Sequence, residues 1–210
     1  MAKQINGVYE AVLECAKQEF LKKGYTDASL RVIAQGAGTS TSSIYTRFGD
    51  KEGLFRHIVE PAAEGMKTLF WDIQNKFSGL DEEIQRTTVG EYSIGGMDHI
   101  LDYMYEHFDE FSLLLDASYG TLFQNFVHDL VDIEVECTFS YMKVIGCERG
   151  KSSRLTEEFL HIIVTAFMNG MFEVIRHPMK QEDARRYLNM LSHYHRAGFE
   201  TIFSDLEDVE

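Results

Sequence analysis

Residues 34–55 read AQGAGTSTSSIYTRFGDKEGLF, and this stretch decides how the rest of the chain is interpreted. Gly38 predicts a tight turn, and Ser40 is a good N-cap for a short hydroxyl-rich helix anchored by Ile44 and Phe48. Gly49-Asp50 then break the chain before a further helix from Lys51. Two short helices joined by such a turn are typical of a helix-turn-helix, whose second helix lies in the DNA major groove.

Two helices precede this turn. The first is predicted over Val8–Lys23 with one apolar face, and Gly24 ends it. The second begins at the N-cap candidate Ser29. The N-terminal part is therefore predicted to be a three-helix domain with a fourth helix following it.

The remainder of the chain also shows helical periodicity, and strand-like alternation is hard to find. We expect helices over residues 51–77, 81–89, 97–107, 110–118 and 120–145, a loop over 146–153, and two amphipathic helices separated by Pro178. Pro61 indicates either a helix boundary or a bend between two domains. The sequence predicts an all-α fold of about nine helices, divided into residues 1–55 and 56–210.

Charge is distributed unevenly along this chain of 210 residues and net charge −14. Residues 1–56 contain eight Lys/Arg and six Asp/Glu, whereas residues 57–210 contain twelve and twenty-eight. A domain that meets a polyanion gains from a positive balance, although a solvated acidic surface beside an ordinary N-terminus gives the same counts.

The cysteines and the apolar segments of the sequence also indicate in which compartment the protein is expected. Cys15, Cys137 and Cys147 are odd in number and lack CxxC spacing, so we expect reduced thiols without a disulfide frame or zinc site. No apolar run reaches the length that spans a bilayer, and the N-terminus lacks an apolar signal segment. These features predict a cytoplasmic protein without a membrane partner.

Residues Val12–Val59 resemble the DNA-binding domain of the TetR family of bacterial transcriptional repressors. The elements that carry this resemblance are Gly24-Tyr25, Ile33-Ala34, Ala37–Ser40, Tyr45–Phe48 and Lys51–Phe55. The chain departs from the family pattern at Thr39, where valine is usual, at Ser42, where glycine is common, and at Arg47, where histidine is usual. These departures affect the operator sequence more than the fold.

The resemblance implies roles in DNA binding for one group of polar residues. Hydroxyls on the first turns of the recognition helix meet base edges or phosphates, while tyrosine and cationic side chains bind phosphate oxygens. The predicted contacts are Arg31, Thr39, Ser40, Thr41, Ser42, Ser43, Tyr45, Thr46, Arg47 and Lys51.

Family members usually bind a small effector in the second domain and then release DNA. Aromatic and polar side chains in residues 56–210 give a candidate site, although an aromatic core has the same composition. The candidates are Trp71, Tyr105, Asn125, Phe126, His161, Asn169 and Phe172. The acidic surplus favours a cationic or neutral apolar effector, and no cofactor is expected.

The two C-terminal helices have wide apolar faces with small residues that allow close approach. Two such pairs from two subunits form a four-helix dimer interface, and a dimer matches a palindromic operator. An internal core explains the same faces. The interface candidates are Phe159, Ile162, Ala166, Gly170, Leu188, Leu191, His195 and Phe199.

Catalysis is not expected. The Glu158-x-x-His161 spacing suits a metal on one helical face, but a di-iron bundle needs a second such pair and the sequence has none. HExxH, GxSxG and P-loop motifs are also absent from the sequence. The sequence thus predicts a homodimeric, ligand-responsive repressor that binds double-stranded DNA and an unknown small molecule. A regulator or activator that senses metal or redox state is the alternative, followed by a helical-bundle metal enzyme.

Overall fold

A computed structural model describes residues 2–144, 146 and 156–204, and the side chains of residues 7–144, 146 and 156–201. Within these ranges the regular structure is entirely helical, which confirms the all-α prediction. The helices are α1 (Ala2–Asp27), α2 (Leu30–Gly36), α3 (Thr41–Phe48), α4 (Lys51–Ser78), α5 (Glu82–Glu106), α6 (Phe108–Ser112), α7 (Phe126–Val144), α8 (Glu157–Arg176) and α9 (Gln181–Ser204). A wide π-helical turn, Leu113–Ala117, follows α6.

The chain forms two compact units. The head unit contains residues 1–65 and 107–126, and the body unit contains residues 66–106 and 127–210. Residues 107–126, which include α6 and the π-helical turn, therefore pack with the N-terminal helices. The functional division at residue 55 remains a prediction about roles.

A buried aromatic cluster holds the head unit together. Phe20 of α1 and Phe55 of α4 are fully buried and meet edge to face, with ring centroids 5.1 Å apart. Burying each such ring contributes about 2–3 kcal/mol. The helical path of α1 is broken at Gly24, whose φ is 72°, as the sequence predicted.

An ion pair joins α6 to α1 inside the head unit. Lys17 Nζ lies 2.6 Å from Glu110 Oε1 and 4.0 Å from Asp109 Oδ2. Burial alone would lower the pKa of Lys17, but the hydrogen bond and charge of Glu110 outweigh it, so the pKa is raised. The ammonium therefore stays charged at any physiological pH.

Helix α5 differs from the prediction, because one continuous helix covers residues expected to form two. The predicted helices left out residues 90–96, yet Gly90 and Gly96 are both buried inside the helix. A Cβ atom on Gly90 would lie 1.6 Å from Nη1 of Arg196, and one on Gly96 would lie 3.0 Å from Cγ2 of Ile73. These glycines allow neighbouring helices to approach closely; they do not end α5.

Two further boundaries were misplaced. The long helix expected from residue 120 begins at Phe126, because Gly120 adopts a φ of 83° within a turn. Helix α4 runs through Pro61 without interruption, so the helix-boundary interpretation of that proline is wrong. Whether Pro61 acts as a joint remains a prediction.

The body unit is built on the apolar faces of α5, α7, α8, α9 and the second half of α4. Helix α8 supplies Leu160, Val164, Met168 and Phe172 to the core. In the described chain, α8 is the one helix long and apolar enough to cross a membrane by length and composition, which the sequence prediction had not anticipated. Core helices of soluble proteins share these properties. Cys147 and the predicted loop over 146–153, except Gly146, lie outside the described residues.

Candidate functional sites

The turn between α2 and α3 has the geometry expected of a helix-turn-helix. Gly38 adopts a φ of 64°, and the Thr39 N–H donates to Ala34 O over 2.9 Å. Ser40 caps α3, because its Oγ accepts a hydrogen bond from the Ser43 N–H at 3.2 Å. Ser29 stands at the N-cap position of α2, but its side chain makes no capping bond, and its N–H donates to Glu19 Oε1.

Helix α3 buries one face and exposes a polar one. Ile44 and Phe48 are buried, while Tyr45, Thr46 and Arg47 are exposed, Tyr45 by 53% of its surface. The four hydroxyl residues Ser40–Ser43 cover the first turn, and Arg31 is exposed on α2. Within the described residues, the side chains of Arg31, Tyr45 and Arg47 have no hydrogen-bond or ion-pair partner. They are therefore available to an external polyanion.

The Thr46 hydroxyl already donates a hydrogen bond within α3. Its Oγ1 donates to Ser42 O over 2.8 Å, so this hydroxyl has no second hydrogen to donate to a phosphate. Such a bond to the carbonyl four residues earlier is common for threonine in helices.

Lys51 is also engaged inside the head unit. Its Nζ donates to Thr26 O at 2.9 Å and to Ala28 O at 3.2 Å, and it lies 4.7 Å from the centre of the Tyr25 ring. Since an ammonium has three hydrogens, one remains for an external acceptor. Lys51 thus ties the end of α1 to the start of α4, a structural role that the sequence analysis did not foresee.

The N-terminus of α4 carries its own carboxylate. Asp50 Oδ1 accepts a hydrogen bond from the Gly53 N–H at 2.7 Å and so caps the helix. This position is where a bound phosphate would otherwise meet a helix N-terminus. The cationic side chains of α2 and α3 are consequently better placed than the α4 terminus to meet phosphates.

A family model described as bacterial regulatory proteins of the tetR family matches residues 12–58. Residues 12–58 therefore match the N-terminal domain of the tetR family. The match covers α1 beyond its first turns, the helix-turn-helix and the start of α4, which supports a DNA-binding transcription regulator. No curated protein sequence matches the chain.

Solved structures of TetR-family regulators resemble the chain in fold. PfmR from Thermus thermophilus is 23% identical, with a TM-score of 0.56 over 87% of this chain and 97% of that one. A TetR-like regulator from Rhodococcus sp. RHA1 is 17% identical, with a TM-score of 0.58 over 91% and 96%. NalD of Pseudomonas aeruginosa, the secondary repressor of the MexAB-OprM multidrug efflux pump, is 18% identical, with a TM-score of 0.55 over 90% and 95%. At these identities the likeness shows the fold alone.

The predicted effector residues fall into different units. Trp71, Tyr105, His161, Asn169 and Phe172 belong to the body unit, whereas Asn125 and Phe126 end the head unit. Phe172 and Phe126 are core residues, and the Tyr105 hydroxyl donates to Met179 O over 2.9 Å. Asn169 Nδ2 donates to Thr165 O on its own helix. An effector role for any of the seven remains a prediction.

Sequence reasoning missed a carboxyl group in the body unit. Glu134 of α7 accepts a hydrogen bond at Oε2 from Gln74 Nε2 of α4, over 2.7 Å. Burial raises the pKa of Glu134 to about 7, while the Gln74 bond opposes the shift. The signal for this residue was its helical spacing from Leu130 and Val131, both buried, which predicts an inward-facing side chain.

The predicted dimer residues divide into two sets. Gly170 packs against Leu191, whose Cδ2 would lie 3.2 Å from a Cβ at Gly170, and Leu188 is buried. His195 stacks on Phe167 at 4.3 Å between ring centroids and meets Phe199 edge to face. These residues pack α8 and α9 of one chain together. Phe159, Ile162 and Ala166 instead lie on an exposed face of α8.

Proposed function

We propose that the protein is a homodimeric, ligand-responsive repressor that acts in the cytoplasm on a palindromic operator. The observation that carries this proposal is the exposed polar face of α3, which holds Tyr45 and Arg47 within the TetR-family domain. A recognition helix of this kind reads one half-site, and a second copy of the chain reads the other.

The contacts with DNA divide by chemistry. Arg31 and Arg47 neutralise phosphates or reach guanine, and the Tyr45 hydroxyl donates to a phosphate oxygen. Thr41 and Ser42 lie at the start of α3, where short hydroxyl side chains meet base edges. Thr39, Ser40 and Ser43 support the turn, with Ser40 already bound to the Ser43 N–H. The Lys51 ammonium donates its one remaining hydrogen to a phosphate oxygen.

The effector site lies in the body unit and takes an apolar or cationic compound. Glu134 with Gln74 supplies a polar anchor in this unit, and a cation would stabilise the ionised form of Glu134. NalD, a protein of similar fold, is a repressor of a multidrug efflux pump, which is consistent with such a ligand. The effector releases DNA only to the extent that it binds the DNA-incompetent conformation more tightly.

One observation weighs against the redox-responsive alternative. Burial, with the nearby charges of Glu134 and Glu136, raises the pKa of Cys137 to about 11. Because the thiolate is the form that reacts with oxidants, Cys137 is a poor redox sensor at neutral pH.

A competition gel-shift tests the proposed function. Purified protein is mixed with the DNA flanking its own gene and an excess of non-specific competitor. A discrete band that resists the competitor is expected, and Tyr45→Phe weakens it by about 3- to 10-fold, because one phosphate hydrogen bond is lost. Tyr119→Phe is the matched control, since Tyr119 is an exposed tyrosine of the head unit outside α3.

Two results would overturn the proposal. One is the absence of a resistant band across genomic fragments at low salt, with protein refolded from denaturant to remove bound ligand. The other is equal weakening by the Tyr45 and Tyr119 variants, which would show that the polar face of α3 is not the surface that contacts DNA.

A further inference from the structure

A cluster of two histidines and one aspartate joins α7 to α8 within the body unit. His128 and Asp132 lie one turn apart on α7, and His161 lies on α8. Asp132 Oδ2 is 3.8 Å from His128 Nε2, and Asp132 Oδ1 is 3.8 Å from His161 Nε2. One donor atom from each residue lies within 4.8 Å of the other two.

These donors match the requirements of a transition-metal dication. Imidazole nitrogen and carboxylate oxygen are common Zn²⁺ ligands, at about 2.0–2.2 Å. Donors around one tetrahedral ion lie roughly 3.3 Å apart by this geometry. All three side chains are at least partly exposed, so small rotamer changes suffice to close the remaining distance.

A neighbouring hydroxyl orients one of the ligands. Thr165, one turn after His161 on α8, has its Oγ1 3.4 Å from His161 Nδ1. When Nδ1 carries the proton and faces this hydroxyl, the lone pair of Nε2 is left toward Asp132. Such a second contact fixes the tautomer and direction of many metal-binding histidines.

The cluster contains His161 but not Glu158. The Glu158-x-x-His161 spacing suits two ligands on one helix, but it was set aside because the sequence has no second such pair. The structure instead places His161 beside α7, where the ring centroids of His128 and His161 are 5.1 Å apart. No sequence pattern links these two residues, because 32 residues lie between them.

We propose that His128, Asp132 and His161 form a binding site for a divalent transition-metal ion, represented by Zn²⁺, that links α7 to α8. Three protein ligands leave a fourth position open to water or to a donor atom of another molecule. The site selects against Mg²⁺ and Ca²⁺, which prefer oxygen ligands. This inference does not depend on the proposed repressor function, because metal binding is measured without DNA.

The test uses the full-length protein after treatment with EDTA and removal of the chelator. Zn²⁺ is titrated by calorimetry, and Co²⁺ is titrated by its visible absorption, which reports coordination geometry. One ion per chain, a tetrahedral Co²⁺ spectrum and a rise in Tm with Zn²⁺ are expected, since a ligand of the folded state raises stability. Mg²⁺ at the same concentration is expected to leave Tm unchanged.

Variants assign the site. His161→Ala and Asp132→Asn are each expected to weaken Zn²⁺ binding by about 10-fold or more and to abolish the Co²⁺ spectrum. His177→Ala is the matched control, because His177 follows the last turn of α8, with Nε2 3.1 Å from Glu173 Oε2, and belongs to no three-ligand group among the described residues. This control is expected to bind Zn²⁺ like the unmodified protein.

Circular dichroism of each metal-free variant checks folding. Asp132→Asn keeps the size of the side chain and so provides a reading even if His161→Ala fails to fold. No Zn²⁺ binding by the unmodified protein, or equal binding by the Asp132 and His177 variants, would overturn the proposal.

Discussion

At the residue scale, Gly53 leaves no room for a side chain. It is buried in the first turn of α4, and a Cβ atom there would lie 1.9 Å from Phe48 O, the carbonyl that ends α3. Because a backbone atom cannot move aside cheaply, Gly53→Ala is expected to destabilise the protein by about 2–4 kcal/mol. Chemical denaturation measures this change.

Gly95→Ala is the matched control for that substitution. Gly95 also lies inside a helix, but no atom stands within 4 Å of the position its Cβ would take. Alanine there should stabilise the protein by roughly 0.5–1 kcal/mol, since glycine is a poor helix former. Similar effects of the two substitutions would show that helix propensity, and not the contact with Phe48, governs Gly53.

Glu134 makes stability depend on pH. Its pKa rises from 4.5 to about 7 on folding. Between these values the unfolded chain ionises this group while the folded chain keeps the proton. The contribution of protonated Glu134 to the free energy of unfolding is therefore complete below about pH 4.5. It is lost as pH rises through 7.

Glu134→Gln removes this pH dependence. Relative to the unmodified protein, the variant should gain up to ~3 kcal/mol between about pH 5 and pH 8. Urea denaturation of the variant and of the unmodified protein at these two pH values measures the difference in the free energy of unfolding. A constant difference across this range would show that Glu134 titrates alike in the folded and unfolded chains.

At the element scale, α8 and α9 carry more apolar surface than one chain uses. Ile162 is 63% exposed on α8, and Met190 and Tyr194 are 69% and 78% exposed on α9. Exposed apolar residues at helical spacing on adjacent helices are typical of an interface. These residues extend the predicted dimer surface, which had named only Phe159, Ile162 and Ala166 among the exposed positions.

A charge placed on this surface should separate the proposed dimer. Ile162→Glu combined with Met190→Glu is expected to convert the protein to a monomer in analytical ultracentrifugation, because each buried carboxylate would lack a partner. Leu122→Glu is the control, since Leu122 is 77% exposed in the head unit. A dimer that survives the double substitution would place the interface elsewhere.

At the scale of the whole molecule, the charge distribution restricts where DNA binds. Residues 57–210 hold twenty-eight of the 34 acidic residues and repel a polyanion. Affinity for DNA must therefore come from the few exposed cations of the head. The loss of one such cation should change DNA binding measurably.

Arg47→Ala is expected to reduce the slope of log Kd against log salt concentration by about 1, because one phosphate contact releases about one counterion. Fluorescence anisotropy with operator DNA at salt concentrations between roughly 50 and 200 mM measures the slope. Arg186→Ala, which removes an exposed cation of the body unit paired with Asp183, should leave it unchanged. Equal slopes in all three proteins would show that Arg47 does not contact a phosphate.

The sequence by itself determined the helix-turn-helix, because its signals are local. The positive φ of Gly38, the cap at Ser40 and the alternation of Ile44 and Phe48 with exposed neighbours depend on residues within a few positions of one another. Backbone sterics and short-range hydrogen bonds act at that range, so these features follow from residue order.

Only the tertiary structure decided the features that join distant segments. The predicted helix ended before Gly90, whereas α5 continues past it beside Arg196. Lys51 was predicted only as a DNA contact, whereas two of its hydrogens go to the carbonyls of Thr26 and Ala28. His128 and His161 become one cluster only when α7 and α8 pack together. Such contacts depend on which faces of the helices meet, and long-range packing sets that choice where local propensity does not.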